Sequence, residues 1–290
     1  MFHVKHSAGT LCYARCPRGE DTVDDGSLQE AMPHIVAIAN QKGGVGKTTT
    51  AINVSASVAA AEKRALVVDM DPQANLTSGL GIDPASLNGS TVYRGLVERV
   101  SAEKLLRDTE LESLKVLPSE RNLTGAEIEL VPEPRREYRL RELLEPIRAS
   151  FDYIFIDCPP SLGLLTVNAL VAADTILVPL QCEFFALAGV SELMSTVNRV
   201  RASFNSELRV EGIVFTMVDE RTNLTSQVME DVRQAFPGIV FEAIVPRNVR
   251  LAEAPSFGKP ILLYDIRSKG AEAYLALTRE ILRHEEKSSR

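Results

Sequence analysis

The chain has 290 residues, 45% of them hydrophobic and 24% charged, with a formal net charge of −7. That is enough apolar material for one large α/β core, and the acidic balance excludes a globally basic nucleic-acid binder, so any polyanion site must be a local patch. Runs of about eighteen apolar residues and an apolar signal-peptide core are both missing, which argues against a membrane span or secretion and for a cytoplasmic chain.

Residues 1–33 mix Pro, Gly and charge without periodicity and read as a disordered leader ahead of a domain over 34–284 and a polar tail over 285–290. Cys12 and Cys16 lie in that leader, and Cys158 and Cys182 lie in apolar runs, so the cysteines suggest reduced thiols rather than a disulfide framework or metal cluster. The short apolar run Ile35–Ala39 suits a buried parallel strand, and Thr48 to Ala61 reads as a helix. Further strand-like runs follow at Leu66–Val68, Val116–Leu117, Tyr153–Ile156, Thr175–Val178 and Gly212–Phe215, alternating with helical stretches. This alternation predicts a single α/β domain with a mostly parallel, twisted sheet and helices on both faces. The interval from Leu80 to Arg148 is more polar and carries Pro118, Pro132, Pro134 and Pro146, so its elements are harder to place.

Between the first strand and its helix lies Lys42-Gly43-Gly44-Val45-Gly46-Lys47-Thr48-Thr49. It matches the phosphate-binding pattern G-x-x-x-x-G-K-[ST] except that Gln41 stands at the first glycine, and it opens on an extra lysine, Lys42. Strand, loop and helix come in the order that a P-loop NTPase requires. Glycines 43, 44 and 46 let backbone N–H groups face phosphate oxygens, with the helix N-terminus behind them. Lys47 is expected to reach the β- and γ-phosphates of ATP, and the Thr48 hydroxyl to hold Mg²⁺.

Two carboxylates follow strands where nucleotide sheets place their ligands: Asp71, after Leu66-Val67-Val68-Asp69, and Asp157, after Ile154-Phe155-Ile156. Asp157 is expected to polarise the Mg²⁺ shell, and Asp71 to orient the attacking water or share the metal. The segment Cys158-Pro159-Pro160-Ser161-Leu162-Gly163 reads as a switch that senses the γ-phosphate. An Asp at a strand end also serves as a helix cap or turn former, and that alternative stands for both.

At this point the chain resembles the ParA/Soj partitioning ATPases, a class that also holds the MinD division-site ATPases. The segments that carry the resemblance are Asn40–Thr50, Val67–Asn75, Ile156–Ser161 and Val245–Ser256. It implies that ATP joins two chains into a sandwich in which Lys42 reaches the partner's phosphates, and that Gly43 is a glycine because two loops meet across the dimer axis. It further implies that Met217, Pro246 and Asn248 lie near the adenine, Pro246 to Asn248 being equally good turn residues. Asn75 and Gln73 are expected either to support the residues that meet the nucleotide or to serve as switch residues. Arg221, Arg247, Arg250 and Lys259 are implied as a patch for sequence-independent duplex DNA, each of them otherwise an ordinary solvated charge. The implied partners are a ParB-type centromere-binding protein and the nucleoid.

Two other readings remain open. One is a MinD-like ATPase on a membrane, against which the tail Arg283–Arg290 lacks bulky apolar residues; the segment Gly270–His284, with Tyr274, Leu277 and Ile281 at helical spacing, reads as core-packing. The other is a regulatory or cargo-positioning scaffold whose hydrolysis is incidental. At the codon level, Met1-Phe2-His3-Val4-Lys5-His6 can be encoded by a sequence containing the inverted repeat TGTTTCACGTGAAACA, which resembles the centromere sites of ParB-type partners.

Overall fold

The computed structural model describes residues 33–219 and 221–288. The leader and its codon-level feature therefore lie outside the described residues, as does the end of the polar tail. Eight strands form one sheet: β1 (His34–Ile38), β2 (Ala65–Asp69), β3 (Arg107–Asp108), β4 (Leu114–Leu117), β5 (Tyr153–Asp157), β6 (Thr175–Gln181), β7 (Arg209–Val218) and β8 (Val240–Pro246). Their order is β3-β4-β2-β5-β1-β6-β7-β8, and every pairing is parallel except that of β3 with β4.

The central strands are continuous apolar runs because both of their faces are covered. In β2 and β5 every residue is buried. One hydrophobic cluster lies on each face, one centred on Leu66, Ile154 and Ile176, the other on Val67, Phe155 and Leu177. All six apolar runs taken as strands are strands. β3 and β8 went unread: β3 has two residues, and β8 alternates buried and exposed positions at the sheet edge, which is a weaker signal than a central run.

Strand order decides where the site sits. From β1 the chain crosses to β2 on one side, with β5 returning between them, and later to β6 on the other side. The order reverses around β1, and ligands of open parallel sheets bind in the crevice at the carboxyl ends flanking such a reversal.

The helix Lys47–Ala60 starts at the carboxyl end of β1 and is buried along most of its length. Its polar residues are satisfied internally or by neighbours: the Ser55 and Ser57 hydroxyls donate to the carbonyls of Ala51 and Asn53, both at 2.7 Å, and Asn53 Oδ1 accepts from the Ile261 N–H at 2.7 Å. The last helix, Lys269–Ser288, buries Tyr274, Leu277 and Ile281 in the same core, and the Tyr274 hydroxyl meets Thr50 Oγ1 at 3.1 Å. Each such side chain contributes about 1.5–3 kcal/mol by burial. The apolar stripe read in the sequence is thus spent on the sheet. Among the described residues no helix is long and apolar enough to cross a membrane.

Candidate nucleotide site

The phosphate loop is held open by backbone geometry rather than by side chains. Gly44 and Gly46 have φ of +76° and +87°, values that L side chains adopt only under strain. Two contacts from neighbouring strands fix the loop. Asn40 Nδ2 donates to the Pro179 carbonyl at 2.8 Å while its Oδ1 accepts from the Lys42 N–H at 3.0 Å, and Thr216 Oγ1 donates to the Val45 carbonyl at 2.8 Å. Val45 itself is buried, so it anchors the loop while the glycines face outward. Neither Asn40 nor Thr216 was named as a site residue; Asn40 was legible from its place immediately before the loop, whereas Thr216 is brought there only by sheet order.

The two lysines of the loop point to different places. Lys47 is buried, and its Nζ donates to the Lys42 carbonyl at 3.0 Å. Burial pulls its ammonium below the ordinary lysine range, opposed by the charges of Asp157, Cys158 and Asp71. Lys42 is half exposed and pairs with Glu183, at the carboxyl end of β6. Thr48 and Thr49 open the helix beside Lys47.

Asp157 and Asp69 end adjacent strands in register, so two carboxyls stand side by side. Both are fully buried. Both Asp157 oxygens lack a hydrogen-bond partner, and desolvation pushes this carboxyl well up, reinforced by Asp69 and opposed by Thr48 and Lys47. Asp69 is likewise pushed up, to about 6, mainly by burial. It differs in being satisfied: its Oδ2 accepts from the Thr77 N–H at 2.9 Å and the Thr77 hydroxyl at 2.6 Å, and its Oδ1 from the Asp71 N–H at 3.1 Å. The Ser119 N–H donates to Thr77 Oγ1 at 2.9 Å, and the Ser119 hydroxyl donates to the Asp71 carbonyl at 2.8 Å. Asp69 therefore organises the turn that carries Asp71. The sequence reading passed over it in favour of Asp71, although an acid ending an apolar strand was signal enough.

Asp71 lies close enough to influence Lys47, and its Oδ1 accepts from the Gln73 N–H at 2.9 Å, so it also forms the local turn allowed for it. An orphaned, dry carboxylate beside a hydroxyl and an ammonium suits a hard divalent cation, which takes oxygen ligands. Among the described residues no group of three or more His, Cys, Asp or Glu could hold a metal ion. Mg²⁺ keeps waters and phosphate oxygens as ligands and needs only one or two protein groups, so it does not require such a cluster.

Met217 lies one residue beyond Thr216 and has φ of +50°, a strained value for its side chain type. Its neighbour Val218 pairs with Pro246, which sets the ends of β7 and β8 side by side. Asn248 caps the helix Val249–Glu253, its Oδ1 accepting from the N–H groups of Arg250 and Leu251 at 2.9 and 3.3 Å.

Three of the four basic residues, Arg221, Arg250 and Lys259, stand in ion pairs. Arg221 forms a forked pair with Asp219, and Arg221 and then Arg247 hold that carboxyl down at about 2. Arg250 pairs with Glu253 at 3.0 Å and Asp265 at 3.6 Å, and Lys259 with Glu110 at 3.0 Å. Arg221 and Arg247 thus share one acid, while the other two face separate ones.

The chain matches a family model described as an AAA domain (AAA_31) over residues 33–210. It is 55% identical over 277 residues to the chromosome partitioning protein ParA of Myxococcus xanthus, covering 96% of this chain and 94% of that one. It is 53% identical over 250 residues to the sporulation initiation inhibitor protein Soj of Bacillus subtilis, covering 86% and 98%. Among solved structures, it resembles cobyrinic acid a,c-diamide synthase from Mycobacterium smegmatis with bound ADP and magnesium, with a TM-score of 0.78 at 38% identity over 89% of this chain and 97% of that one. Three of the segments that carried the sequence resemblance, Asn40–Thr50, Val67–Asn75 and Ile156–Ser161, come together here, and the chain belongs to the ParA/Soj family of partitioning ATPases.

Proposed function

We propose that this ATPase partitions DNA by an ATP-driven sandwich of two copies, which binds duplex DNA without sequence preference and is released when a ParB-type partner stimulates hydrolysis. The observation that carries the reading is Gly43. A Cβ at this position would meet nothing within 4 Å, and its φ is not among the positive ones, so its own chain gives no reason for a glycine. A second loop approaching across a dimer axis does give one. Lys42 fits the same geometry, being turned away from its own loop toward Glu183 and free to exchange that partner for the phosphates of a second copy.

Within one site, Lys47 spends one ammonium donor on the Lys42 carbonyl and keeps the others for phosphate oxygens. Mg²⁺, when bound, neutralises charge on the β- and γ-phosphates. Thr48 and Asp157 would hold it, and Asp71 would position the attacking water. Lys42 of the partner subunit would stabilise charge developing in phosphoryl transfer, as an arginine finger does. Loss of the γ-phosphate relaxes the Asp71 turn and the Pro159–Gly163 segment, and the copies part. DNA binding follows dimerisation because two weak basic patches act together. A cytoplasmic, nucleoid-associated location follows from this reading.

The test pairs sedimentation of the protein with ATP against binding to nonspecific duplex across a salt series, using wild type and Gly43→Val. The expected result is ATP-dependent dimers and salt-sensitive DNA binding in the wild type, with the variant binding ATP as a monomer and losing DNA. Dimers formed equally by Gly43→Val, or DNA binding indifferent to nucleotide, would overturn the reading.

A further inference from the structure

A ring of buried hydrogen bonds holds the Asp71 backbone from both sides. The Asp71 N–H donates to Asp69 Oδ1 at 3.1 Å, and the Asp71 carbonyl accepts from the Ser119 hydroxyl at 2.8 Å. Thr77 joins these two holds: its hydroxyl donates to Asp69 Oδ2 at 2.6 Å and accepts from the Ser119 N–H at 2.9 Å. Asp69, Thr77 and Ser119 are fully buried, and Asp71, at 9%, is the most exposed member of the ring.

Three separate parts of the chain contribute to it. Asp69 ends β2, Thr77 lies in the short helix Asn75–Gly79, and Ser119 follows β4. Parallel pairing of β2 with β4, with Val68 opposite Leu117, carries Ser119 to the level of the Asp71 turn. Buried hydroxyls in helices commonly bond to the preceding turn, as Ser55 and Ser57 do to carbonyls four residues back. Thr77 does not, since its partners lie eight and 42 residues away. Valine would fill nearly the same space, so packing gives no reason for a hydroxyl here. A donor and an acceptor both spent on the frame of Asp71 do give one. In a low-dielectric interior each bond of such a ring polarises the next, and no member can turn without leaving a buried group unpaired.

We propose that Thr77 and Ser119 are positioning residues for hydrolysis, which fix the backbone from which the Asp71 carboxylate reaches the attacking water. This rests on the reading that Asp71 orients that water. Asp71 Oδ1 already accepts from the Gln73 N–H, so Oδ2 is the oxygen left for it. Loosening the frame costs rate rather than ATP affinity, because orientation counts in the transition state, where a misplacement of about 1 Å costs about a hundredfold.

The experiment measures kcat and KM for ATP hydrolysis by the full chain, with the melting temperature of each variant, for wild type, Asp71→Ala, Thr77→Val, Thr77→Ser and Ser119→Ala. Thr77→Val should lower kcat by about ten- to a hundredfold and keep KM within about twofold of wild type. Thr77→Ser keeps the hydroxyl and should recover kcat to within about threefold of wild type, while Ser119→Ala, whose N–H stays on Thr77, should lose about three- to tenfold. A KM that rises as kcat falls, or a Thr77→Ser as slow as Thr77→Val, would reduce the hydroxyl to a folding role and overturn the inference. Wild-type kcat in Thr77→Val and Ser119→Ala beside an inactive Asp71→Ala overturns this inference alone. Turnover by Asp71→Ala at the wild-type rate overturns the reading of Asp71 and this inference with it. Should Thr77→Val not fold, Ser119→Ala decides: slower hydrolysis at unchanged KM supports the ring, and wild-type kcat refutes it.

Discussion

The phosphate loop and the basic residues behave oppositely in a single chain. Around Lys47 the residues converge: glycine φ angles, the Asn40 and Thr216 contacts, and the paired strand ends of Asp69 and Asp157 build one buried site. The basic residues Arg221, Arg250 and Lys259 do not converge, and each is drawn to a nearby acid. The difference teaches that buried backbone geometry fixes a phosphate cradle within one fold. A site made of exposed charge is incomplete until something multiplies it, because each exposed pair contributes only about 0–1 kcal/mol and is easily exchanged.

The comparison breaks most visibly in catalysis. Lys47→Ala should lower phosphate release by about a hundred- to a thousandfold and weaken nucleotide binding, since it removes a buried donor from the transferring group. If Lys42 serves a second copy as proposed, Lys42→Ala should lose hydrolysis by a similar factor, at least about a hundredfold, while a fluorescent ATP analogue still binds. Equal loss of binding in the two variants would erase the distinction between them.

For the basic residues the expected effect is smaller and shared. Arg221→Ala should leave ATP-dependent dimerisation intact and reduce the salt slope of DNA binding by about 2, one phosphate contact in each of two copies. An unchanged slope would remove Arg221 from the patch.

Stability sharpens the comparison from the other side. Asp157 and Asp69 both have folded pKa values above their unfolded ones, so the folded chain binds protons more tightly there. Without nucleotide, their contribution is present at low pH and lost as pH rises, for Asp69 between about 4 and 6 and for Asp157 above the ordinary carboxylate range. Asp157→Asn should therefore raise the stability of the nucleotide-free chain at pH 7 by about 1–3 kcal/mol, or a few degrees in Tm, while abolishing hydrolysis. Calorimetry across this pH range checks the sign; a destabilised variant would mean that the carboxylate is compensated.

The smallest effect belongs to the Lys42–Glu183 pair. Both side chains are about half exposed, so Glu183→Ala should change stability by less than about 1 kcal/mol. It should nevertheless favour ATP-dependent dimerisation by releasing Lys42, which sedimentation at graded ATP would read.

The sequence by itself determined the phosphate loop, the central strands and the helix behind the loop. Those features rest on local rules: φ-permissive glycines at fixed spacing, apolar runs long enough for a doubly covered strand, and an acid at the strand end. It also determined that Tyr274, Leu277 and Ile281 share a helix face, which the fold then spent on the core. The tertiary structure alone decided the rest, because the contacts join residues far apart in the chain. Sheet order brought Thr216 to Val45 and Val218 to Pro246. Parallel register set Asp69 beside Asp157, raised both carboxyls by desolvation and left only one of them unpaired. Tertiary packing laid Glu127 on Gly163, and the ends of β6 turned Lys42 toward Glu183. No spacing in the chain encodes these, since burial and charge pairing are properties of the packed whole.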